Sequence, residues 1–239
     1  MRYCDYLELD TLLTLQRPRV PASQGRVRAA EHFFIVVHQS CELWLAQILL
    51  DLDHATAALS ALSTLPAPRV AEELALEHLT RVAEAFDVLH EQVLALDRLT
   101  YHCFARFRPY LGTASGAQSA QFQELDRKLG VGTGASPVAT AFAAAVSGAG
   151  LTLVEVCRAD LGSGALHRIV EVLLDIGQSY WRWKIAHLAV VYRMLGDSGG
   201  TAGTSGADYL ARRVAMPFPE MRHAQQSAPV DERGVDSVR

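Results

Sequence analysis

The chain has 239 residues, half of them apolar and a fifth charged, which excludes a disordered or fibrous protein and leaves enough length for a substantial buried core. A net charge of -4 and a pI near 6.1 exclude a global attraction to nucleic acid or to anionic lipid, so small-molecule chemistry or protein partners are expected. Cys4, Cys41, Cys103 and Cys157 form no CxxC pair, which argues against a zinc knuckle or a redox dithiol and for reduced thiols in the cytoplasm. The opening MRYCDYLELD lacks the apolar stretch of a leader, and no window offers roughly 18 uninterrupted apolar residues, so no membrane partner is expected.

In chain order, the first element is a long helix from Arg28 to about Leu62, free of Pro and Gly, with Phe34, Val37, Leu43, Trp44, Ile48 and Leu52 at helical spacing. The turn Pro66-Ala67-Pro68 leads into a second long helix from Val70 to Leu99, patterned by Leu74, Leu79, Val82, Phe86, Leu89, Val93 and Leu96 and expected to run antiparallel to the first. Residues 100–110 and 117–129 read as shorter helices, separated by a turn from Gly112 to Gly116 and stopped by Gly130. Ser136-Pro137 opens another short helix before Gly148. The last long helix runs from about Gly164 to Leu195 and ends at Gly196. It is followed by a Gly/Ser/Thr loop at 197–206, a helical piece near 207–215 and a polar tail over 216–239. No alternating β-branched run suggests a strand. The expected architecture is all-α, a bundle of long antiparallel helices with short inserted ones, residues 1–215 forming a single domain.

Three pairs four residues apart set an aromatic ring and a polar group on one helix face: Phe34 with His38, Phe104 with Arg108, and Trp183 with His187. His38 lies in FFIVVHQSCELW, whose apolar residues occupy several faces and predict deep burial. Its imidazole then needs a partner, either a neighbouring helix or the N–H of a ligand in a cavity. Arg108 sits in an apolar and aromatic surround, where a guanidinium fork suits a ligand carboxylate or, equally, an internal salt bridge. His187 has no second metal-binding side chain at a chelating interval, which argues against zinc; a lone helical His is a core residue or a single axial ligand to haem iron. The run from Gly196 to Gly206 is a flexible linker by composition, or a loop whose N–H groups and Thr201 or Thr204 close over an anionic ligand.

Four blocks, in order, resemble the tryptophan 2,3-dioxygenase family. YCDYLELDTLL is similar to its YxxYLxLDxLL segment, FFIVVHQSCELWLAQIL to its FIxxHQxxELWxKQIL helix, and FRPYLGTASGAQSAQFQELDRKLG to its FRxYLxPASGxQSxQFRxLExKxG block. WRWKIAHLAVVYRMLGDSGGTAGTSGADYL resembles its last block, which carries an axial His and a GTGGSSG loop. The resemblance implies haem b, its iron held by His187 with Trp183, Phe104 and Tyr209 beside the cofactor, and dioxygen as co-substrate. It further implies that His38 meets the indole N–H as the catalytic histidine and Phe34 packs on the indole. Arg108 and Thr201 hold the amino acid end, and Ser115 and Gly116 form a turn at the pocket. Tyr3, Tyr6 and Leu7 match residues that, in the family, complete a neighbouring subunit's pocket, which implies a homotetramer.

The implied reaction inserts both atoms of dioxygen into the indole ring of L-tryptophan, giving N-formylkynurenine in tryptophan catabolism. The alternatives are a haem-dependent monooxygenase of secondary metabolism acting on tryptophan or a substituted tryptophan, and a non-catalytic haem sensor. Departures from the family pattern are Ala29-Ala30-Glu31 in place of HDE, Thr201-Ala202-Gly203-Thr204 inside the Gly-rich loop, FPEMR in place of an FPELW-like element, and a short segment between Gly130 and Gly164.

Overall fold

A computed structural model describes residues 1–62, 68–132, 134–158, 164–196 and 206–227, and every regular element among them is helical, as expected of an all-α chain. Two single-turn helices, α1 (Tyr3–Tyr6) and α2 (Leu9–Leu12), precede the long α3 (Gly25–Ala61) and α4 (Pro68–Leu96). Then come α5 (Tyr101–Phe107), α6 (Ala120–Lys128), α7 (Pro137–Gly148) and α8 (Leu153–Arg158). The long α9 (Ala165–Leu195) is followed by α10 (Ala207–Ala211) and α11 (Pro219–Ser227).

The chain packs as two compact units, each built from three segments because α3, α4, α6 and α9 contribute to both. Unit 1 comprises residues 1–46, 88–122 and 183–214, and unit 2 comprises 47–87, 123–182 and 215–239.

Unit 2 buries Ile48, Leu52 and Leu59 of α3, Leu79, Val82 and Phe86 of α4, and Ile169, Leu173, Ile176 and Tyr180 of α9. Here α3 and α4 run antiparallel: Asp51 accepts from Arg81 Nε at 3.1 Å while His54, further along α3, stacks on the earlier His78, 4.9 Å between rings. By contrast, α4 and α9 run parallel, since Arg168 pairs with Glu73 and Arg182 with Asp87. Asp51 is buried, which pushes its pKa up, but hydrogen bonds from Gln47 and His78 and the Arg81 charge outweigh burial and hold the carboxyl below its ordinary value. Tyr180 donates to buried Asp126 at 2.7 Å, giving α6 and α9 a polar lock inside an apolar core, where an unpaired group costs about 1–3 kcal/mol.

Two helix ends follow the sequence signals closely. Ser136 accepts from the Ala139 N–H at 3.2 Å as N-cap of α7, with Pro137 at its first turn. Gly130 closes α6 at φ +71°, where an added Cβ would lie 2.9 Å from the Ser136 nitrogen, so both backbone conformation and space demand glycine.

Residues 216–227, expected as part of a polar tail, differ: Pro219–Ser227 is helical and buries Met221 and Ala224. Its apolar pair is only two residues strong, too weak a periodic signal to read from sequence. Helix α11 packs against α8, which the sequence reading also lacked.

Unit 1 packs Val37, Cys41 and Leu45 of α3, Leu89, Val93 and Leu96 of α4, Cys103, Phe104 and Phe107 of α5, and Trp183, Val190 and Met194 of α9. Around His38, Val37 and Cys41 are buried while Val36, Leu43 and Trp44 remain 40%, 59% and 37% exposed, so α3 is buried on one face rather than on several. Helix α3 also contains an 18-residue window of mean hydropathy 1.5, only 22% buried, so by length and composition it is apolar enough to cross a membrane although no uninterrupted apolar run was evident.

Candidate functional site

Every site residue named from the sequence, except Thr201, lies in the described part of unit 1. Thr201 and Thr204 lie outside the described residues, as does the rest of 197–205.

The centre of the site is built on α3. Phe34 and His38 stand one helical turn apart, their rings 3.9 Å between centroids and tilted by 34°. His38 Nδ1 lies 2.7 Å from the Phe34 carbonyl oxygen. Because a carbonyl only accepts, Nδ1 carries the proton and donates, which leaves Nε2 as an acceptor. Burial depresses the His38 pKa, and the Phe34 carbonyl and the Glu42 charge only partly offset this, so the ring favours its neutral form. The sequence reading had left open a hydrogen bond to a neighbouring helix; the bond runs instead to the same helix and keeps Nε2 available.

Around Phe34 the rings of Phe104 and Phe107 close an aromatic wall, 6.4 and 5.4 Å from it, and meet each other edge to face at 83°. Phe107, 0% exposed, was missed as a site residue, although its three-residue spacing from Phe104 on α5 carries the signal. Helix α5 ends earlier than expected. Thr100 caps its start, accepting from the Cys103 N–H, and Arg108 begins a single 3-10 turn through Leu111 because Pro109 cannot donate a backbone bond. Arg108 is therefore half-buried at a junction rather than within a helix face.

Trp183 and His187 lie a turn apart on α9. Trp183 is 1% exposed, and its ring stacks flat on Phe122 of α6 at 5.5 Å and 6°. Lys184 Nζ sits 5.8 Å from the Phe122 ring and 5.4 Å from Trp183, a cation on an aromatic pair that the sequence reading missed. Burial lowers the His187 pKa to about 4, helped by the nearby charges of His38 and Lys184. His187 is therefore a neutral imidazole at neutral pH.

The remaining named residues divide. Ser115 caps a 3-10 turn over Gly116–Gln118, accepting from the Ala117 N–H while Gln118 accepts from the Ser115 N–H at 3.1 Å. Tyr209 on α10 is half-buried, its hydroxyl bonded to Arg213, whose guanidinium lies 5.0 Å over the ring. Tyr3, Tyr6 and Leu7 are 76%, 72% and 39% exposed, so the structure keeps them at the surface of this chain. Glu31, which survives where the flanking residues depart from the family, is buried and accepts from the backbone N–H groups of Arg19 and Val20 at 2.9 and 2.8 Å. It pins the segment that leads into α3.

Among the described residues no three His, Cys, Asp or Glu side chains converge to hold a metal ion. The donor set instead offers one neutral imidazole, His187, whose ring makes no hydrogen bond among the described residues, beside a tryptophan wall. That arrangement fits a metal already chelated by a macrocycle, which requires a single axial protein ligand.

The family model for tryptophan 2,3-dioxygenase matches residues 1–138 and 140–221. The chain is 31% identical to a tryptophan 2,3-dioxygenase of Anaeromyxobacter sp. (strain K) over 92% of its length and 94% of that protein. It is 32% identical to the enzyme of that name from Anaeromyxobacter dehalogenans, with the same coverage, and 30% identical to that of Ruegeria pomeroyi, over 93% and 91% of the two chains. With nearly the whole chain matched, the chain belongs to the tryptophan 2,3-dioxygenase family and is an oxidoreductase of that type.

Proposed function

We propose that the protein is a haem-dependent dioxygenase that opens the indole ring of L-tryptophan to N-formylkynurenine. The observation that carries this reading is a pair of neutral imidazoles within one compact unit, His187 and His38, the latter with its Nδ1 proton committed to the Phe34 carbonyl and its Nε2 left as an acceptor. Haem, when bound, supplies the dioxygen chemistry, and the chain supplies orientation.

His38 Nε2 accepts the indole N–H, and Phe34, backed by Phe104 and Phe107, packs on the ring face. Arg108 offers its planar fork to the substrate carboxylate, with Thr201 contacting the same end. Two anchors at opposite ends of the substrate hold the indole double bond in one place, which is catalysis largely by positioning. His38 orients and does not remove the proton, since an indole N–H is far too weak an acid. Ser115 and Gly116 bound the pocket turn, while Trp183, Phe104 and Tyr209 line the cofactor.

The exposed Tyr3, Tyr6 and Leu7 support a homotetramer in which these residues complete a neighbouring subunit's pocket. Four free thiols suit a cytoplasmic setting.

The test is to turn over ferrous, haem-loaded protein with L-tryptophan under labelled dioxygen and weigh the product. Two labelled atoms in N-formylkynurenine are expected. One labelled atom would replace the reading by a monooxygenase, and haem uptake without any product by a sensor.

A pH profile tests the role of His38 separately. Protonation at Nε2 removes the acceptor, and the His38 pKa lies below its ordinary 6.5. L-tryptophan affinity should therefore stay level down to pH 6.5 and fall only as pH drops through the lowered value. A midpoint above 6.5 would contradict the assignment.

A further inference from the structure

Gln121 and Phe122 stand side by side in the first turn of α6, and each engages a different helix of the site. Gln121 Nε2 donates to Glu42 Oε2 at 2.7 Å and to the Glu42 backbone carbonyl at 2.9 Å. Glu42 lies one turn beyond His38 on α3. Phe122 stacks on Trp183, one turn before His187 on α9, with Lys184 over both rings. Successive side chains on a helix diverge by about 100°, so adjacent residues reach partners in different directions.

We propose that the Gln121-Phe122 pair is a spacer that sets the separation of His38 and His187, Gln121 being a positioning residue for the first and Phe122 for the second. The inference rests on the reading that a planar cofactor and an indole lie between the two histidines. Its physical basis is the kind of contact on each side. The bond to a carboxylate is charge-assisted, and the second bond, to a main-chain oxygen, resists both sliding and rotation of α3. On the other side a flat aromatic stack fixes the ring of Trp183 at a definite distance from α6. Neither partner is a neighbour in sequence: Gln121 acts across 79 residues, and Phe122 across 61 to Trp183. Shortening or removing either contact lets one histidine drift relative to the other while both remain on intact helices.

The experiment reads that separation directly. Nitroxides on p-acetylphenylalanine at Val36 and Ile185, both 40% exposed and two residues before His38 and His187, report the spacing by double electron–electron resonance in the cofactor-free full chain. Gln121→Leu should broaden and shift the distribution, and the exchange Gln121→Glu with Glu42→Gln, which restores a side-chain bond in reverse, should narrow it again. After haem loading, Gln121→Leu should keep full haem content yet bind L-tryptophan at least tenfold more weakly. Phe122→Ala should instead lose haem faster. If Gln121→Leu fails to fold, Gln121→Glu serves in its place, since two facing carboxylates of native size repel and widen the distribution. A Gln121 variant whose distribution superimposes on the parent's overturns the spacer, as does equal loss of haem and of substrate in both variants. Failure of the haem reading shows itself separately, as parent protein that takes up no haem although its spacing responds to Gln121.

Discussion

The His187→Ala protein, titrated with haemin, should take up no stable haem and show no sharp Soret band. The expectation follows from the donor set: the imidazole is neutral because burial and the neighbouring charges of His38 and Lys184 hold its pKa near 4, so no proton competes with iron at physiological pH. With a single axial ligand, no second side chain takes over the bond when the first is removed. Far-UV dichroism should be nearly unchanged, since His187 lies within a helix stabilised by Trp183, Val190 and Met194, all buried. Adding free imidazole should restore part of the Soret band by filling the vacated space. Haem content equal to the parent's in His187→Ala would remove the axial assignment, and with it the cofactor half of the proposed function.

Arg108→Leu should cost about 2–5 kcal/mol in L-tryptophan binding, the usual loss when one member of a desolvated charge pair is truncated, which is roughly 30-fold to several thousandfold in Kd. The loss should be confined to ligands bearing the carboxylate. An indole lacking that group relies on Phe34 and His38 and should bind within about twofold of its parent affinity. Arg108 is half-buried at the start of a 3-10 turn, where Pro109 fixes the backbone beside it. Arg108→Lys keeps the charge but not the two parallel bonds and should fall between the two. Isothermal titration of both ligands against the three proteins decides it. Equal losses for the two ligands would contradict the carboxylate clamp and point to a structural guanidinium.

The pH profile of binding complements these two variants, because the proposed role of His38 is that of a lone-pair acceptor and is lost when the ring is protonated. Substrate affinity in Arg108→Leu should therefore keep the parent's pH midpoint while losing its magnitude.

How far the sequence reached differs from element to element. The three long helices were legible because their apolar residues recur over many turns, and the starts and stops at Ser136 and Gly130 were legible because caps are local chemistry. Helices α8 and α11 were not, since six and nine residues carry too few periods to stand above composition. At the site, His38 and His187 were each ordinary taken singly, and it was four ordered motifs that marked them. Glu42 and Gln121 stand inside those motifs, yet their joint role is invisible there because the bond between them spans 79 residues.

By itself, then, the sequence determined an all-α chain and the family, and named the residues proposed to meet ligand and cofactor, because helical periodicity and motif spacing are local properties written residue by residue. Only the tertiary structure decided which nitrogen of His38 is left to accept, how far His187 is pushed toward neutrality, and which side chains stand between the two helices that carry them. Those properties depend on burial and on distances between segments remote in sequence, and both come into being only when the helices pack.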